Sequence, residues 1–238
     1  MPETLKLAGR IRLFVGRLYN HDYLWFSSTE ISKVSATLPV LHNYALCYAL
    51  SGYERGVALG SIPTYTADLA QMPLYATPAQ SGRWVERTSV TFNALDSISL
   101  RTDLKPNVNT PDLGKRLYLN PLFERREEDK PRLGYTFYLF TFDRAQPRSV
   151  MRLGKKGCPV RVRWEEIEWA KAEFSTTPKM PTHVVNPLDV SGQVLRYEPV
   201  ALPPHLLLRT AAIAEDWFIE RWPHLIHVPK PVLERLRA

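Results

Sequence analysis

SVMRLGKKGCPVRVRW (residues 149–164) reads as a strand, a tight turn and a second strand. Gly154 and Gly157 bracket Lys155 and Lys156, and glycine supplies the backbone freedom that a short turn needs. After the turn, Val160 and Val162 alternate with Arg161 and Arg163, so the two arginines share one face of a strand. Seven basic residues (Arg144, Arg148, Arg152, Lys155, Lys156, Arg161 and Arg163) fall between Asp143 and Glu165, with no acidic residue among them. A hairpin of this kind has two uses. It can blunt a sheet edge with solvated charge, or it can lay backbone N–H groups and cations against phosphate oxygens. The missing acidic partners favour the second.

A β-hairpin needs neighbours, and strand signals lie on both sides. RLGYTFYLFTFD (132–143) is dense in aromatic and β-branched residues, a strand composition. KLAGRIRLFVGRLY (6–19) alternates Ile11, Leu13 and Val15 with Arg10, Arg12 and Phe14, the period of a half-buried strand. Residues 83–101 return to strand character. LHNYALCYALSG (41–52) is apolar almost all round and ends at Gly52, which predicts a buried helix with a glycine stop. LRTAAIAEDWFIERW (208–222) carries Ala212, Ile213, Trp217 and Ile219 near helical spacing before Pro223, and predicts a second helix. EEIEWAKAEF (165–174) suits a short helix or a polar strand equally. Residues 62–82, with Pro63, Pro73 and Pro78, predict an excursion from the core, and 102–131 a second long loop. Strands and helices do not alternate regularly, so the expected class is α+β in a single domain spanning 1–238.

The bulk composition agrees with a folded, basic domain. The 238 residues are 45% hydrophobic, and 31 Lys and Arg against 24 Asp and Glu give a net charge of +7. Such a surface attracts polyanions. No apolar run reaches the roughly 18–20 residues of a membrane span, and Arg10 and Arg12 interrupt any signal-peptide core. Two distant cysteines, Cys47 and Cys158, form no metal motif, and a reducing cytoplasm is expected.

No P-loop, nucleophile elbow, dinucleotide fingerprint or C-x-x-C is present, so no cofactor and no metal are expected. His21-Asp22 is an isolated pair in an extended stretch. Cys158, beside two lysines, is a candidate for a lowered pKa but has no placed base. His42 and Asn43 open the predicted helix, where they either cap it or meet a ligand. His183, His205, His224 and His227 fall in proline-rich or tail segments and are expected at the surface. Tyr65 and Tyr75, on the proline-rich excursion, are candidates for stacking or partner contact.

The strand RLFVGRLYNHDYLWFSSTEI (12–31), the helix HNYALCYALSGY and the hairpin RLGKKGCPVRVRWEEIE together resemble a type I-D CRISPR-associated subunit of the fifth numbered Cas family, in the RAMP superfamily. The resemblance runs from about residue 9 to about residue 222. It implies a ferredoxin-like (RRM-like) core with a glycine-rich loop at Arg152–Gly157 and a thumb-like insertion within 62–82. It also implies a non-catalytic subunit of an effector complex that binds the 5′ handle of crRNA. Its implied neighbours are the backbone subunit, the large subunit and, through the assembly, target DNA near the PAM end. On that basis Arg152, Gly154, Lys155, Lys156, Gly157, Arg161 and Arg163 are expected at RNA phosphates. His42, Asn43 and Tyr44 are expected at a base or the handle, and Tyr65 and Tyr75 at partners. In subtype I-C a relative cuts precursor RNA, so a metal-independent endoribonuclease is the alternative, and a protein-only scaffold the third reading.

Overall fold

The computed structural model describes residues 4–6, 11–31, 34–52, 64–81, 85–93, 113–122, 134–142, 145–168 and 171–237. Its centre is β2 (Ile11–Asn20), flanked antiparallel by β10 (Tyr135–Phe142) and β12 (Cys158–Ile167). Leu13, Leu18, Phe137, Leu139 and Phe140 are fully buried, and Phe14 and Val15 nearly so. Both faces of β10 are therefore covered, which explains why β10 reads as a continuous apolar run rather than an alternation. Gly16 sits where a Cβ would lie 2.7 Å from the rings of Phe137 and Trp164. Its bare backbone lets those rings meet edge-on above the strand, with centroids 5.5 Å apart.

The hairpin is where the sequence puts it. β11 (Val150–Leu153) pairs β12, and the turn at 154–157 joins them. On the far side of β10 lie β6 (Leu74–Ala76), β7 (Ala79–Ser81) and β5 (Val40–Leu41), completing a seven-stranded sheet. Helix α1 (Asn43–Ser51) packs on β6 and ends at Gly52 with φ 61°, as the glycine stop predicts. Cys47, on its buried face, accepts the Ala76 N–H at 3.2 Å, and burial pushes its thiol up to about 12.

Three expectations are corrected. The proline-rich stretch is not an excursion. After the short helix α2 (Tyr65–Gln71) its residues enter the main sheet as β6 and β7, with Leu74, Tyr75, Ala76 and Ala79 buried. Pro73 and Pro78 flank the strands rather than interrupt them, so the prolines mark strand ends. Residues 64–81 therefore form no thumb; 62, 63 and 82 lie outside the described residues. Within 102–131, Leu113–Leu119 is β9, which pairs antiparallel with β8 (Arg87–Asn93) and parallel with β4 (Val34–Ala36), itself paired with β3 (Thr29–Ile31). The remainder of that range, except 120–122, lies outside the described residues.

The third correction concerns fold class. Residues 208–222 form no helix. They are β15 (Leu207–Ala214) and β16 (Asp216–Arg221), joined at Glu215, whose φ is 55°. Asp216, Trp217, Phe218 and Ile219 are buried in succession, a pattern in which period cannot separate strand from helix. β15 pairs β14 (Gln193–Val200). β16 lies between β13 (Lys171–Ser175) and β17 (His224–His227), with β1 (Thr4–Lys6) on the other edge of β13, so the undecided 165–174 segment is strand at 165–167, the end of β12, and at 171–174. The tail forms α3 (Lys230–Arg237), with Val232 and Leu233 buried. The fold is mostly β with few helices, rather than the α+β expected.

Candidate nucleic-acid interface

The hairpin presents its charge on one face. Register pairs Arg152 with Pro159, Arg161 with both Val150 and Tyr19, and Arg163 with Arg17. Arg17, Arg152, Arg161 and Arg163 thus lie on the same side of the sheet and are exposed. Arg17 belongs to this patch through register alone; Glu165, 3.4 Å away, is its acidic neighbour. Arg152 donates to the Gly157 carbonyl at 2.8 Å and so braces its own turn. Lys155 and Lys156 are exposed at the tip.

Gly154 plays a part other than the expected approach to a ligand. Its φ is 77°, and a Cβ there would stand 2.7 Å from the Trp25 carbonyl oxygen. The Lys155 N–H donates to that same oxygen at 2.9 Å. The turn is docked on the chain's own backbone at Trp25, with the Leu24 side chain beside it. A Cβ at Gly157, whose φ is 63°, would meet only the flexible Arg152 side chain, at an ordinary 3.8 Å. Gly154→Ala should therefore lower Tm markedly and Gly157→Ala much less, measured by thermal unfolding; equal effects would contradict the docked turn.

Trp25 ties the turn to a second cation. The Lys155 ammonium lies 5.2 Å from the indole centroid and the Arg116 guanidinium 4.4 Å from it. Arg116 comes from β9 and extends the basic face, while its strand neighbour Lys115 points to the opposite side. Sequence reading misses Arg116 because it takes 102–131 as loop.

Lys155 also lines a cleft of about 360 Å³ together with Phe26, Ser28, His42, Tyr44 and Tyr65. The structure thus gathers one residue of the turn, two from the start of α1 and one from α2. His42 caps α1: its Nδ1 accepts the Tyr44 N–H at 3.3 Å. Burial, and secondarily His205, draw its pKa down to about 3, so the ring is neutral. Tyr44 stacks on Tyr65 with centroids 4.4 Å apart, and His205 meets both His42 and Tyr44 edge-on.

Two candidates fall away from this surface. Asn43 is fully buried and donates to the Tyr75 hydroxyl at 3.0 Å. Tyr75 is 2% exposed and its hydroxyl donates to Asp189, so it makes no partner contact. Burial raises Asp189 to about 6, although Tyr75 works against the rise. Tyr75 is misplaced by the loop reading of 62–82, because a strand there puts it inside. The histidines need a correction too. His183 and His227 are buried, and His205 and His224 are partly buried and hydrogen-bonded. Cys158 is likewise buried, and its thiol is raised by burial, not lowered by the lysines. Among the described residues no group of three or more His, Cys, Asp or Glu is placed to hold a metal ion, and no helix is long and apolar enough to cross a membrane.

Residues 11–233 match a family model described as type I-D CRISPR-associated protein Cas5/Csc1. No curated protein matches the chain. Among solved structures, the chain is similar to one in a cryo-EM structure of the type III-B Cmr-beta complex bound to cognate target RNA and AMPPnP. That similarity has 8% identity and a TM-score of 0.39, over 94% of this chain and 88% of the other.

Proposed function

The chain belongs to the type I-D CRISPR-associated Cas5/Csc1 family, and from that premise we propose that it is the non-catalytic effector subunit that seats the 5′ handle of crRNA on the hairpin face. The observation that carries this reading is the convergence of cations on a rigid frame. Arg17, Arg152, Arg161 and Arg163 share a sheet face, and Lys155 and Arg116 reach the same indole. Phosphate contacts fix register and orientation without reading sequence. The guide portion needs no reading by this chain, because base pairing does that. In this proposal the ferredoxin-like core implied by the resemblance is β2, β10 and β7 with α1, and the backbone subunit, the large subunit and PAM-proximal target DNA are its neighbours.

Salt dependence tests it. Five or six phosphate contacts give a log–log slope of roughly −4, at about −0.7 per contact for single strands. The double variant Lys155→Ala, Lys156→Ala should weaken binding to any RNA sequence and reduce the slope by about 1–2. A slope near zero for the parent chain overturns the reading, and an unchanged slope in the double variant removes the turn from the interface.

One observation favours the endoribonuclease alternative: His42, Tyr44 and Lys155 line one cleft. Against it, an imidazole drawn to about 3 is a poor proton carrier near neutral pH. Repeat RNA incubated with the protein in EDTA should stay intact; site-specific cleavage would establish the enzyme.

A further inference from the structure

We infer that the cleft beside Lys155 is a receptacle for a single unstacked nucleobase of the bound RNA strand, a deepening that rests on the proposed RNA-binding role. Two buried polar atoms, Ser28 Oγ and His42 Nε2, have no hydrogen-bond partner, and their residues line this one cleft. Ser28 is 5% exposed and His42 7%. Orphaned buried polar groups are few in folded proteins, and each calls for a partner from outside the chain or from solvent. Two of them on one cavity identify what that cavity takes.

The chemistry narrows the occupant. His42 Nδ1 is spent on the Tyr44 N–H, so in the neutral ring Nε2 carries the hydrogen and is a donor. Ser28 Oγ can donate or accept. The occupant therefore offers an acceptor to His42 and either polarity to Ser28. Around these atoms stand the rings of Phe26, Tyr44 and Tyr65, with Leu202–Pro204 along another side. The lining is apolar and aromatic with a few polar atoms, and its volume of about 360 Å³ lies at the low end of the roughly 300–1,000 Å³ of small-molecule sites. A flat, uncharged heteroaromatic ring with carbonyl or ring-nitrogen acceptors satisfies every requirement. Lys155 lines the same cleft and belongs to the phosphate-gripping turn. A nucleotide whose phosphate is held at Lys155 has its base within reach of the rings, and single-stranded RNA is recognised by splaying bases onto aromatic side chains in this way.

His42 Nε2 is closed to solvent, and the ring of His205 packs at right angles to that of His42 with centroids 4.7 Å apart. Seating a base against Nε2 therefore requires local movement, and a shift of His205 gives up its 2.9 Å hydrogen bond with Asn186 Oδ1.

The test uses the full chain and a set of repeat-derived 5′-handle RNAs, each with one base replaced by an abasic ribose. Every phosphate is retained throughout. One position should lose roughly tenfold or more in affinity, the scale of one base–aromatic stacking contact, with the salt slope unchanged. In Tyr65→Ala, and separately in Ser28→Ala, that abasic penalty should shrink or vanish, because the interaction is already absent. Both variants lie outside the sheet core, and unfolding curves verify that they fold. Equal affinity for all abasic RNAs, with the parent slope intact, overturns the receptacle and leaves the phosphate reading standing. A penalty that persists undiminished in both variants places the base elsewhere and also overturns it. Salt-independent binding overturns the RNA-binding reading and this inference with it.

Discussion

Replacing Asp216 with alanine is expected to cost about 3–5 kcal/mol, because it strands several buried hydrogen-bond donors at once. Asp216 is fully buried and meets His227 Nε2 at 3.0 Å, with His227 1% exposed. The carboxylate does more than face one imidazole. Its Oδ2 accepts the N–H groups of Ser191 and Gly192, and its Oδ1 that of Trp217. Truncation would strand these amides as well as the ring, and each orphaned donor costs about 1–3 kcal/mol. Gly192 cannot retreat, since even a Cβ there would stand 2.2 Å from the Ala214 carbonyl oxygen. Burial alone would raise the Asp216 pKa. The His227 hydrogen bond and charge, with the Gly192 and Trp217 amides, hold it below the ordinary value instead. Its contribution is therefore present above the unfolded carboxyl pKa near 3.8 and is lost as pH falls through the lower folded value. Urea unfolding at neutral pH measures the effect; a loss below about 1 kcal/mol would show that the cluster is not structurally important. Asp216→Asn keeps an acceptor for part of the set and should cost less.

The second large effect is acid sensitivity below pH 6.5. His183 is buried between the Val184 carbonyl, which takes its Nδ1–H at 2.8 Å, and the His227 N–H, which donates to its Nε2 at 3.2 Å. Burial draws it to about 3, as it does His42. Below pH 6.5 the unfolded chain binds protons that the folded one refuses, so stability falls on acidification. At pH 4.5 the two histidines together forfeit about 5 kcal/mol relative to neutral pH. Asp189 has the opposite sign. Its folded pKa of about 6 exceeds the unfolded 3.8, so over that window the folded state holds the extra proton and recovers about 2 kcal/mol by pH 4.5. For these three groups the net loss is about 3 kcal/mol. Asp189→Asn removes the offset and should steepen the decline to about 5 kcal/mol. Denaturation at pH 6.5 and pH 4.5, on parent and variant, checks both figures; stability that rises on acidification would contradict the assignment.

The central strands and the hairpin were legible because their signals are local. Period-two alternation, aromatic density and a turn bounded by glycines need no tertiary information, and α1 announced its own glycine stop. What failed was non-local. Trp217 and Ile219 look helical in sequence, and only cross-strand pairing with β13 and β17 makes them strand. Pro73 and Pro78 look like breakers, yet they stand at the ends of strands that β10 recruits. The candidate site shows the same division. Charge on the hairpin is visible in the sequence, while Arg17 and Arg116 join it only through register and through a shared indole. Asn43 looked like a contact residue beside His42, and it proved to be a buried strut because helix rotation turns it toward Tyr75.

The docking of the 154–157 turn on Trp25 bears on how quickly a ligand could be captured. A loose loop would forfeit main-chain freedom at the moment of capture, about 1–2 kcal/mol for every residue frozen. Here that ordering is already complete when the domain folds, since the Trp25 carbonyl fixes the Lys155 amide and Gly154 has no room to swing. Only the two lysine side chains remain to be stilled, at about 0.5–1.5 kcal/mol apiece. The tip is a preset die rather than a closing jaw, and encounter with a polyanion proceeds without a rearrangement step of the turn.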